Sequence, residues 1–111
     1  MSDLLKAQRT IEAEKKNLAR KEALDRLRKN RDFKELFTIG YLQEHAAQAI
    51  RSSVDTRFSK EDQQAFIDKA RAVGWFDEYM REIDRKGDNA ISTIEQNEQF
   101  IRDLMASGRE V

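Results

Sequence analysis

NRDFKELFTIGYLQEHA, residues 30–46, gathers Phe33, Leu36, Phe37, Ile39, Tyr41 and Leu42 into one short run and reaches His45, the single histidine of the chain. No proline interrupts it, and no alternation of apolar with polar residues lasts a strand's length. Asn30 or Asp32 can cap a helix here, and Asp32 followed by Glu35 approximates a capping box. The spacing predicts a helix from Phe33 to about Ser52. At 3.6 residues per turn, Phe33, Leu36, Phe37, Gly40, Tyr41 and Ala47 share a face, widened by Ile39, Leu42, Ala46 and Ile50. An apolar arc that broad predicts a buried central helix, the hub of a bundle. Gly40 costs ~1 kcal/mol against Ala in a helix interior, and close approach of another helix would account for it.

The rest of the chain supports an all-α reading. Of 111 residues, 39% are hydrophobic and 38% charged, too apolar for a wholly disordered chain and enough for one modest core. Proline is absent and only four glycines occur, while the helix formers Lys, Arg, Glu, Gln, Ala and Leu dominate. Cysteine is absent, so neither a disulfide framework nor a thiolate metal site can form, and a reducing compartment or an intracellular assembly is expected. No apolar run approaches a membrane span, and MSDLLKAQRT has no apolar segment of the kind a secretion signal needs. Net charge is zero but uneven. Residues 1–35 hold 11 Lys and Arg against 7 Asp and Glu, and the remainder is acidic by the same margin, a mild asymmetry far from a strongly basic tail.

Upstream, SDLLKAQRTIEAEKKNLARKEALDRLRKN (2–30) reads as one long helix with Ser2 as its cap. Leu4, Ile11 and Leu18 recur every seven residues, but the positions between them, Ala7, Glu14 and Lys21, are small or charged. A two-stranded coiled coil wants both positions apolar. The segment therefore reads as a mostly solvated helix, residues 1–31, that lays a narrow edge on a partner through Leu4, Leu5, Ile11 and Leu18. Downstream, RSSVDTRFS (51–59) is a loop, and Ser59 with Asp62 signals a third helix, KEDQQAFIDKARAV. Gly74 fits a helix-ending left-handed position. A short fourth helix then carries Trp75, Phe76, Tyr79, Met80 and Ile83 inward, and Gly87 ends it in the same way. A fifth spans about 88–106 with Ile91, Ile94, Glu98, Ile101 and Met105 in line and Leu104 beside them, and Gly108 closes it. The expected architecture is a long N-terminal helix followed by a bundle of about four helices over 32–111.

No catalytic, cofactor or metal site is expected. His45 has no second His or Cys at ligand spacing, and adjacent Glu44 points elsewhere on a helix. Glu78 with Glu82, and Asp84 with Asp88, are carboxylates four apart, but Arg81, Arg85 and Lys86 interleave them as on a solvated face. DRKGDN has Lys86 where a calcium loop needs an oxygen ligand. Phosphate-loop, dinucleotide and hydrolase signatures do not occur. Lys15, Lys16, Arg20, Lys21, Arg28 and Lys29 could meet nucleic-acid phosphates, yet Glu12, Glu14, Glu22 and Asp25 run among them and no aromatic interleaves for base stacking. A self-neutralising exposed helix is the plainer reading.

One resemblance stands beside this. Asn30, Asp32, Phe33, Lys34, Gly40 and Tyr41, with Tyr79 and Gly87 further on, form a pattern similar to small helical proteins encoded in tailed-bacteriophage genomes. It covers about residues 18–90 and carries over no functional residue. It implies a non-enzymatic role in virion structure or assembly, with a protein partner, either the chain itself or a larger virion protein, in the cytoplasm of a bacterial host or in the particle. A nucleic-acid-associated module working through the basic face, or a small inhibitor of a host enzyme, are the alternatives.

Overall fold

The computed structural model describes residues 2–108. It is 91% helical, and the described residues contain no strand. Three helices account for this. The first, α1, is Asp3–Lys29. The middle helix covers 31–53 as α2 (Arg31–Phe33), a π-helical stretch (Lys34–His45) and α3 (Ala46–Ser53). The last, α4, is Lys60–Ala106.

Three starts follow the capping residues of the sequence. Ser2 Oγ accepts from the Leu5 amide at 3.0 Å, Asn30 Oδ1 from Phe33 at 2.9 Å, and Ser59 Oγ from Asp62 at 3.0 Å. Each satisfies a first-turn N–H that the helix itself leaves unbonded. The connection over 54–59 is held by Asp55. Its carboxylate accepts from the Arg57 amide and, in a two-pronged pair, from the Arg57 guanidinium, while its carbonyl accepts from Gln63 at 2.7 Å. Gly108 adopts φ +68° just beyond α4, the left-handed stop expected of it.

The expected stops at Gly74 and Gly87 do not exist. Both glycines lie inside α4, which runs unbroken for 47 residues, so the third, fourth and fifth expected helices are one, and the compact bundle of about four helices gives way to three helices. Glycine tolerates the left-handed conformation but does not require it, and no proline follows either residue to forbid continuation.

The chain groups into two compact units, and α1 and α4 contribute to both. The first comprises 1–24 and 82–111. Its buried residues are Ala7, at 3% exposure, with Leu24, Ala90, Leu104 and Gly87. Lys21 fixes the pairing. A Cβ on Gly87 would run into the Cβ and Cγ of Lys21, so the lysine stem crosses the α4 backbone where no side chain stands. Its ammonium then sits 3.6 Å from Asp84 and 3.4 Å from Asp88, the two acids flanking the glycine on α4. Lys15 feels Glu98, further along α4, so as α1 advances its partners on α4 recede and the two segments are antiparallel.

The heptads follow from that register. On α1, Leu4, Ile11 and Leu18 alternate with Ala7, Glu14 and Lys21, and all six are buried or half-buried. On α4, Gly87, Ile94 and Ile101 alternate with Ile83, Ala90, Asn97 and Leu104, again none fully exposed. Small residues on one helix let bulky ones on the other approach, and this is why the positions that look too weak for a coiled coil form one. The stripe of α1 is thus turned toward α4 of its own chain, with Ala7 and Leu24 buried and the remaining faces of the helix largely exposed. Leu5 alone among the four expected contact residues is exposed.

The second unit comprises 25–81 and buries only Ala49, Val73 and Met80. The expected hub, Lys34–His45, contains no buried residue. Phe33, Phe37 and Tyr41 stack along the middle helix toward Phe76 of α4, with ring centroids 5.2 Å apart for Phe33 and Phe37, and 6.4 and 5.8 Å to Phe76 from Phe37 and Tyr41. Trp75 and Tyr79, expected inward, are exposed, whereas Met80 is buried as expected. The glycine at 40 also has a local reason. A Cβ there would lie 3.0 Å from the Glu35 carbonyl five residues earlier, a neighbour brought close by the π-helical turn and not by another helix.

Replacing Gly87 with Ala tests the Lys21 crossing. Helix propensity alone would favour alanine by ~1 kcal/mol. The collision with the Lys21 stem reverses the sign, and a net loss of about 1–3 kcal/mol is expected, the ordinary cost of overpacking. Thermal melts by circular dichroism read it. Asn30→Ala should lower stability by ~1 kcal/mol through loss of the cap.

Candidate functional site

The residues singled out in the sequence are not brought together. Leu4, Ile11 and Leu18 lie half-buried in the first unit, and Leu5 is exposed beside them. Of the six cations considered for nucleic acid, Lys15 bonds Glu12 at 2.9 Å, Lys21 spans Asp84 and Asp88, and Arg28 lies 3.9 Å from Asp25. Lys16, Arg20 and Lys29 are exposed. The Glu12 carboxylate, through a hydrogen bond and its charge, holds the Lys15 ammonium above its ordinary pKa, and Glu98 adds to the effect. Half of the six cations are therefore matched by acids of the same chain. His45 is exposed and stacks on Tyr41 at 5.6 Å between ring centroids. Asp84 and Asp88, the pair weighed for acid–base work, are the two anchors of Lys21. Among the described residues no group of three His, Asp or Glu side chains is placed to hold a metal ion, and no helix is long and apolar enough to cross a membrane.

The feature the sequence did not disclose lies in the second unit. A groove of about 730 Å³ runs between the middle helix and residues 70–80 of α4. One wall carries Phe33, Ile39, Leu42 and Ile50; the other carries Ala70, Val73 and Gly74. Arg28 and Lys34 also line it, as does Asp77, which pairs with Arg81 at 3.1 Å. Outside the groove, Leu36 is 66% exposed and Trp75 is 75% exposed, with Val54, Tyr79 and Phe37 also open to solvent. For Leu36 and Phe37 the exposure follows from the π-helical stretch. A π turn holds about 4.4 residues in place of 3.6, so apolar residues that would line up on an α-helix spread around the barrel. Leu36 and Ile39, placed on one broad face by α-helical spacing, are both left uncovered. No residue type in Lys34–His45 marks the π geometry in advance. The uncovered wall of α4 could have been found from Gly74, an unexplained glycine once the helix is known to continue through it.

No family model, curated protein or solved structure matches the chain.

The loop joining the middle helix to α4 has a legible acid response. Arg57 hydrogen-bonds the Asp55 carboxylate, first through its side chain and then through its amide, and holds it below the ordinary carboxyl range. Lys86 does the same to Glu82. A depressed carboxyl contributes stability that is complete above its unfolded value of ~4 and is lost as pH falls through the folded value. Asp55→Asn should lower the thermal midpoint at neutral pH, and the melting curves of variant and wild type should converge as the pH is taken through the acid range. Both groups are half-buried at the surface and screened by water, so the effect is small.

Proposed function

We propose that the chain is a non-catalytic structural or interaction protein whose working surface is carried by residues 31–81. The observation that supports this is the apolar surface the second unit leaves in water, above all Leu36, Ile50, Val54 and Trp75. Burying one such side chain contributes about 1.5–3 kcal/mol, so a partner that covers several of them gains a large driving force. Several large apolar side chains left exposed in one helical unit are what an interaction surface needs.

This reading moves the interaction element away from α1. Leu4, Ile11 and Leu18 are half-buried within the first unit, so they offer an external partner less open apolar surface than residues 31–81 do. The resemblance to small helical proteins of tailed phages gives the reading a setting, assembly of a virus particle in a bacterial host or a place in the particle itself. The nucleic-acid alternative is weakened by the acids that accompany Lys15, Lys21 and Arg28.

Leu36→Glu combined with Trp75→Glu tests the proposal. Both side chains are exposed, so the fold should hold within about 0.5 kcal/mol per site. Affinity purification of the tagged chain from the cells in which it is naturally made should recover a complex with the wild type and lose it with the double variant. Recovery of the wild-type chain only as a monomer, or an unchanged complex with the double variant, would overturn the reading.

A further inference from the structure

Gly74 has no intrachain explanation. It lies in the interior of α4, where glycine costs ~1 kcal/mol against alanine. A Cβ built on it meets nothing within 4 Å, in contrast to Gly87, which Lys21 occupies, and Gly40, which the Glu35 carbonyl crowds. It is also exposed, and it sits on the wall of the apolar groove. A bare stretch of helix backbone beside an apolar groove suits a second helix that comes closer than a side chain would permit.

Resting on the reading of this face as an interaction surface, we propose that the groove is filled by a second copy of this chain, related by a two-fold axis along the groove. The walls are unequal where they are exposed. Ile39 and Ile50 project from the middle helix, while α4 offers Ala70 and Gly74 above the buried Val73 and Met80. A two-fold axis along the groove sets the large wall of each copy against the small wall of the other, which is the self-complementarity an isologous interface demands. The charges obey the same operation. Lys34 lines the groove from the middle helix and Asp77, which also pairs with Arg81 at 3.1 Å, from α4, so the axis sets the Lys34 side of each protomer against the Asp77 side of the other. The product is four helices around a shared apolar core, with each middle helix beside two α4 segments, the arrangement in which helical hairpins complete a core that two helices cannot close. Residues 33–50 span about 25 Å of helix, long enough for a contact approaching the ~800 Å² per partner of a stable dimer.

Light scattering on the purified full-length chain gives the first arm of the test. The proposal expects twice the 13.0 kDa chain mass, with dissociation on dilution. Gly74→Leu and Ile50→Glu should each weaken the dimer at least tenfold while leaving the helical circular dichroism of the dilute chain in place. Gly74→Ala should raise the thermal midpoint of the dilute monomer and still weaken the dimer. Lys34→Glu should weaken association, and adding Asp77→Lys should restore it, since the charges pair across the axis. A wild-type chain that stays monomeric at millimolar concentration would overturn the proposal, as would a dimer indifferent to Gly74→Leu and Ile50→Glu. A monomer that nevertheless forms a Leu36- and Trp75-dependent complex in cells would sink the second copy as occupant and leave the interaction surface standing. Loss of both would remove the two together.

Discussion

Lys21 laid across Gly87 is the contact on which the first unit depends. A lysine at a core position is unfavourable unless its stem is covered and its charge is met. Glycine supplies the room for the stem, and Asp84 and Asp88, one turn apart on α4, meet the ammonium. Because the acids flank the glycine on the same helix, a slip of α1 by one heptad would strand the charge and place a side chain under the stem. The register of an antiparallel pair with few large apolar residues is thereby specified by one polar position, much as a buried polar residue specifies register in other coiled coils. Ala7, Ala90 and Gly87 then become assets, since they let the helices close on Leu4, Leu18, Ile101 and Leu104.

The second unit follows a different rule. Its core is thin, with Ala49, Val73 and Met80 the only deeply buried residues, and its aromatics stack at the surface as much as inside it. The π-helical stretch Lys34–His45 spreads its apolar residues over more of the helix circumference than one partner segment can cover. The same feature that costs intrachain burial provides a groove and an apolar exterior. Function, on this account, is carried by what the fold leaves unfinished in residues 31–81, and α1 contributes by staying committed to its own chain.

How far the sequence discloses this can be traced residue by residue. Ser2, Asn30 and Ser59 announced helix starts because their side chains bond the first free amides, a local effect. The all-helical class was legible for the same reason, from propensity and the absence of proline. Gly74 and Gly87 misled, because a residue that permits a stop is compatible with continuation, and the choice between them is made by tertiary contact. The seven-residue repeat of Leu4, Ile11 and Leu18 was visible, but its partner stripe was hidden behind residues that carry almost no hydrophobic signal, Gly87 and Ala90. The groove was not legible at all. It depends on the i→i+5 turns of the middle helix, and those have no signature in residue type.

Native-state hydrogen exchange on the dilute chain tests the central claim, that one stripe of α1 is covered by its own molecule while the middle helix is incompletely covered. Amides of 7–24 and 84–104 should be the slowest to exchange, opening only with global unfolding, and those of 34–45 should exchange fastest among the helices. The reverse order, with α1 exchanging as a frayed helix and 34–45 protected to the global limit, would contradict the account.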